Sequence, residues 1–255
     1  MKDFIEITDN LAKIIGEMEN QRKNVGNFLR DSNSLTELEL TDDILESKLI
    51  IQVPESDQKN LRVGGIDGGL LKKSFHGIDL MLLKAVGVIF SYNDGKLTNT
   101  EYYPNAIPTP EPRTIMDPFN DIEFEINSNI ERQIKEVIIA AETIEKFEPD
   151  ILLLHGSVIP HYTFVPEKGS LLHENYRRMI LAYTDLFEVV KLRKTILAGV
   201  IEDSRGIRFC EILNNILLTH FSASMPPEMK IVLTRTKDSN LLSYCLLYTS
   251  PSPRD

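Results

Sequence analysis

Asp67 sits in the run Gly65-Ile66-Asp67-Gly68-Gly69, a carboxylate closing a short apolar stretch and followed by two residues without side chains. A rigidly held carboxylate with open space beside it suits a divalent ion and a phosphate. The same residue types also form an Asx-turn that closes a strand, so a structural role for Asp67 stands beside the chemical one. Metal-assisted phosphodiester hydrolysis needs several such groups at one point, where one ion activates water and another stabilises the leaving oxygen. Strand ends of α/β sheets supply points of this kind. Two further polar tips follow apolar runs: His155-Gly156-Ser157 after Ile151–Leu154, and Glu202-Asp203-Ser204-Arg205 after Thr195–Ile201. His155 can ligate Mn2+ as a neutral imidazole or act as a hydrogen-bonded strand-end residue. Ser157 can offer its hydroxyl to a phosphate or shape a turn. Arg205 has the guanidinium geometry for a phosphate contact, while Asp203 either assists a metal or caps the next helix.

Elements that could position these groups are visible in the periodicity. Leu61–Ile66 reads as a strand that ends in a tight turn at Gly68-Gly69. Ile78–Phe90 is a second strand, and Asp94-Gly95 signals a hairpin that returns Leu97–Tyr103 antiparallel. Five prolines between Pro104 and Pro118 predict a surface loop. Ile130, Ile134, Val137, Ile138, Ala141 and Ile144 predict a helix over Asn127–Phe147, capped by Asn127 or Ser128. Asp150–Leu154 then reads as a central strand buried on both faces, which makes the sheet mixed and delivers His155 by a crossover. A helix over Leu171–Arg193, a buried strand over Thr195–Ile201, a helix over Phe209–His220, a strand at Ile231–Leu233 and a helix from Asp238 complete the pattern. Residues 1–31 read as an amphipathic helix whose apolar face must pack on something, and Asn33–Lys59 as a polar connector.

Composition narrows the class. With 255 residues, 42% of them hydrophobic, the chain can bury a sizeable core. A net charge of −10 argues against a protein that coats nucleic acid with a basic surface, so any nucleic acid must meet a local site. Carboxylates that hold metal count as negative in the sequence and are neutralised on binding, which weakens that objection. Two cysteines are too few for a disulfide framework or zinc site; they imply a reducing compartment, with Cys210 an inert core thiol. No apolar run reaches the ~20 residues of a membrane span, and the N-terminus lacks a basic signal-peptide start, so a cytoplasmic protein with no membrane partner is expected.

The ordered set Gly-Ile-Asp-Gly-Gly at 65–69, Ile-Leu-Leu-Leu-His-Gly-Ser at 151–157, Gly-Val-Ile-Glu-Asp-Ser-Arg at 199–205 and Asp-Ser-Asn-Leu-Leu at 238–242 resembles the NurA nuclease family over roughly residues 61–244. The resemblance implies an α/β RNase H-like mixed sheet flanked by helices, here with an N-terminal helical appendage over residues 1–60. It implies a DNA nuclease, with single-strand endonuclease and 5′ to 3′ exonuclease activity, that processes ends in double-strand break repair. Mn2+, or Mg2+, would be the cofactor; DNA, a HerA-type hexameric ATPase and a second copy in a homodimer would be the partners. Asp67 takes the place of the family's first metal ligand. The family's helix glutamate maps to Glu136, with Glu131 as the fallback; Glu136 lies about 120° from the centre of the apolar face, so a solvated role is also open. The third ligand, an aspartate in the family, is His155 here. That departure either alters metal preference or marks a weakened or non-catalytic relative that binds DNA or the ATPase. Glu202 stands where the family often has lysine. An actin- or Hsp70-like ATP-binding fold is the rival reading, disfavoured by Leu70-Leu71 where a Ser or Thr is needed and by the lack of a second Asp-Gly phosphate loop.

Residues 245–255, Cys-Leu-Leu-Tyr-Thr-Ser-Pro-Ser-Pro-Arg-Asp, read as one frame of a sequencing adapter. They are expected to be non-native, which would leave the family's C-terminal tyrosine and histidine outside the chain and the fragment inactive.

Overall fold

The computed structural model describes residues 2–31, 59–116, 119–160, 164–167, 169–201, 206–220 and 229–245. The chain forms two compact units, one of residues 1–55 with 203–255 and the other of residues 56–202. The C-terminal helices thus cluster with the N-terminal helix, a grouping the sequence reading did not anticipate. The expected connector, Glu202 to Arg205, and residues 246–255 lie outside the described residues, apart from Lys59 at the connector's end. No helix among the described residues is long and apolar enough to cross a membrane.

Residues 56–202 hold the sheet. Strands β1 (Asn60–Phe75), β2 (Ile78–Asn93) and β3 (Lys96–Tyr103) form an antiparallel meander, and β5 (Ile151–His155) and β6 (Ile196–Val200) join β1 in parallel. The order is β3-β2-β1-β5-β6, so the mixed sheet is as expected, with β4 (Glu111–Ile115) pairing with β2. Helix α2 (Asp121–Phe147) packs on β1 and β2, and α3 (His173–Arg193) packs along α2. Their shared core is built from Ile66, Ile130, Ile134, Ile144, Leu152, Met179 and Leu186. The β2–β3 turn is as the Asp-Gly signal required: Asp94 and Gly95 both adopt positive φ, 46° and 73°.

Several expectations are corrected. The first strand does not end at Gly68-Gly69. β2 pairs with β1 over all 16 residues, with Gly68 opposite Ala85 and Gly69 opposite Lys84, and the turn comes at His76-Gly77. The parallel pairing with β5 does stop at Ile66, opposite Leu154, so Asp67 lies one residue past the end of the parallel half of the sheet. The proline-rich loop contains β4, in which Pro112 is tolerated because it stands on an edge strand. Helix α2 begins six residues earlier than expected: Asn120 caps it by accepting from the Glu123 amide, and Asn127 and Ser128 lie buried inside it. β5 is covered on one face only; Leu152 and Leu154 are buried while Ile151 and Leu153 are half-buried. β6 is the sheet edge, not a buried strand, and Ile196 is 63% exposed.

Residues 1–55 and 203–255 supply the second unit: α1 (Lys2–Asp31), α4 (Arg208–His220), α5 (Met229–Arg235) and α6 (Asp238–Cys245). The strand expected at Ile231–Leu233 is therefore helical, its short apolar run belonging to one turn that buries Val232 and Leu233. Val25 and Leu29 of α1 pack with Cys210, Leu213, Met229 and Leu241, and Cys210 is buried as expected. Asp238 ties the unit together by accepting from the amides of Phe209 and Cys210 at 3.1 and 2.9 Å. Only the last turns of α1 meet the expectation of a packed apolar face: Phe4, Ile7, Leu11, Ile14 and Met18 are exposed.

Candidate active site

Three elements meet where the parallel strands end. β1 carries Asp67, β5 carries His155 at its last residue, and α2 carries Glu136. Side chains alternate across a strand, so Asp67 and His155 stand on one face, away from Ile66 and Leu154, which belong to the core beneath α2. His155 Nδ1 lies 3.2 Å from Asp67 Oδ1, and both side chains are open to solvent, Asp67 to 71%. The Gly68 amide donates to the same carboxylate oxygen at 2.9 Å. The second Asp67 oxygen is left available to a ligand.

Glu136 approaches from the opposite face. It is only 7% exposed, and a Cβ on Gly68 would fall 2.3 Å from its Oε1. The first glycine after Asp67 is therefore explained by packing: it lets a helix carboxylate press against the strand beside the aspartate. Arg132, one turn earlier, donates to Glu136 Oε1 at 2.5 Å. Burial pushes the Glu136 carboxyl above the usual carboxylate range; the Arg132 guanidinium and His155 oppose this, and the Asp67 charge reinforces it. Tyr183 of α3 is buried nearby, and burial with the Glu136 charge pushes its phenol up to about 12.

The structure thus brings Asp67 and His155 into contact and sets Glu136 within electrostatic reach of both. Among the described residues, no three His, Cys, Asp or Glu side chains already converge tightly enough to enclose a metal ion. Even so, the donor set fits a divalent cation: two carboxylates, one desolvated with a guanidinium as its positive partner, and an imidazole. Ser157 is exposed, and its Oγ accepts from the Ile159 amide at 3.3 Å in a local turn. Asp203 and Arg205 lie outside the described residues. Glu131, the alternative to Glu136, instead faces α3, where Arg178 Nη1 sits 2.9 Å from its Oε1. Sequence reasoning missed Arg132 and Tyr183. The first was readable as an i, i+4 partner of Glu136; the second is a helix residue on an apolar face and carries no sequence signal.

The strand order, a parallel crossover onto a three-stranded antiparallel meander, and acidic groups gathered at the seam of β1 and β5 define an RNase H-like α/β protein. Within that class, the NurA domain matches residues 61–251, and the chain belongs to the NurA family. No curated protein matches it. Similar solved structures include the NurA nuclease from Sulfolobus solfataricus, at 16% identity over 81% of this chain and 66% of that one, with a TM-score of 0.39. A NurA bound to dAMP and manganese is 13% identical over 96% of this chain and 56% of that one, TM-score 0.36. RNase H1 from the halophilic archaeon Halobacterium salinarum NRC-1 is 12% identical over 55% of this chain and 84% of that one, TM-score 0.26. The chain spans 66% and 56% of the lengths of these two NurA structures.

Proposed function

We propose that this chain carries the catalytic core of a divalent-metal-dependent DNA nuclease that cuts single strands and trims ends during double-strand break repair. The observation that carries the reading is the Asp67–His155 contact backed by the buried Glu136 across Gly68, in a domain of the NurA family. Asp67, Glu136 and His155 are the residues that would hold Mn2+ or Mg2+. When bound, such an ion supplies Lewis acidity at phosphorus and an activated water. Asp67 offers its second oxygen while the Gly68 amide fixes the first; His155 retains a second ring nitrogen for a ligand while Nδ1 faces the aspartate. Glu136 contributes charge from a site where water is scarce, so its interactions there are less screened.

A HerA-type hexameric ATPase and a second copy of the chain are the partners in this reading. A motor that feeds DNA to the site would remove the need for a basic surface, which the net charge of −10 does not provide. The test is hydrolysis of end-labelled single-stranded DNA by the full gene product in Mn2+, beside Asp67→Ala. We expect Asp67→Ala to lower the rate by about 10²-fold or more; equal rates would exclude the assignment.

A further inference from the structure

Beside Asp67, on the same face of the sheet, lies a cavity of about 270 Å³ whose lining includes Asp67, Gly68, Gly69, Lys84 and the segment Ala106 to Pro108. Gly68 is accounted for by Glu136, on the other face. Gly69 is not: it is opposite Lys84 in the β1–β2 register, and a Cβ there would meet Lys84 Cε at 2.9 Å and Cγ at 3.2 Å. The second glycine therefore lets the lysine stem lie flat across β1.

Opposed residues share a face, and so do residues two apart on a strand, which puts Lys84 one pair along from Asp67. Lys84 is exposed and makes no ion pair with any described residue, whereas Lys72 of β1, on the face toward α2, is committed to Glu125. An exposed ammonium uncommitted to any described carboxylate, at the wall of a cavity beside Asp67, is free to take a phosphate as its counterion. An ammonium binds phosphate as a point charge and needs no second arm to do so.

We propose that the Lys84 ammonium, its stem laid over Gly69, forms a phosphate subsite that holds a nucleotide phosphate next to Asp67. It rests on the nuclease reading for its biological substrate, but its ligand chemistry is testable without any cutting. Binding of thymidine 5′-monophosphate and of thymidine would be measured by calorimetry on the full chain in EDTA. Lys84→Ala is expected to weaken monophosphate binding about fivefold to tenfold and to leave thymidine binding as it was, while Lys84→Arg stays within about twofold of the parent. With a single-stranded oligonucleotide, Lys84→Ala should also make the slope of log affinity against log salt shallower by about 0.7. Lys84→Gln, which keeps much of the stem over Gly69, guards against a folding defect in the alanine variant. Equal monophosphate affinity in parent and Lys84→Gln, or no monophosphate binding by the parent, overturns the subsite whatever the nuclease assay shows. Lys84-dependent binding with no Asp67-dependent cutting keeps the subsite and removes the nuclease reading.

Discussion

Helix α2 buries two glutamates to the same extent, Glu131 at 8% exposure and Glu136 at 7%, and treats them differently. Five residues apart is about 140° around a helix, so one faces α3 and the other β1. Glu131 is answered by a guanidinium from another helix, Arg178, with Asn127 and Asn175 hydrogen-bonded at 2.7 Å alongside. Among the described residues Glu136 is ion-paired with Arg132 from its own helix, and it faces the charge of Asp67. The first glutamate ties two helices together. The second is held in an environment that disfavours its charge, the usual condition of a group kept for function instead of stability.

The largest expected effect separates the two by activity. In the full gene product, Glu136→Gln should lower DNA hydrolysis by about 10²-fold, while Glu131→Gln changes it by less than about threefold; comparable losses in single-turnover assays would erase the distinction. Stability should divide the other way. Arg178→Ala strands a buried carboxylate and is expected to cost about 2 kcal/mol, read as a lower urea midpoint at unchanged slope, with hydrolysis near the parent rate.

The smallest effect is in pH dependence. The folded carboxyl of Glu136 is raised above its unfolded value, so the stability it contributes is fully present below about pH 4.3 and is lost as pH rises through the folded value. The Glu136→Gln melting temperature should therefore match the parent near pH 4 and exceed it by a few degrees at pH 8. A gap that stays constant, or that closes as pH rises, would show that Glu136 carries its charge without penalty.

The course of the chain around this site was only partly legible in advance. Asp67 was marked by its glycines, yet the turn expected after it is absent, because hairpin pairing with β2 continues past the point where the parallel partner stops. The start of α2 was misplaced because Asn127 and Ser128 have the chemistry of caps. In the folded chain they face α3 and the preceding turn instead, with Ser128 donating to Phe124 O and Asn127 accepting from Asn175. Ile231–Leu233 was too short for its period to distinguish strand from helix.

Residue type and spacing alone determined the alternation of apolar runs and polar tips, the mixed α/β class, the Asp94-Gly95 hairpin and the identity of Asp67 as a candidate ligand. Those are local properties of a chain whose side chains repeat every two or every 3.6 residues. Tertiary structure alone decided that of two equally buried glutamates one faces α3 and the other presses on β1 at Gly68, why Gly68 and Gly69 are bare for different reasons, and that Lys84 lies beside the site. Each of these depends on strand register and on the rotation of α2 over the sheet, long-range facts that a one-dimensional pattern does not carry.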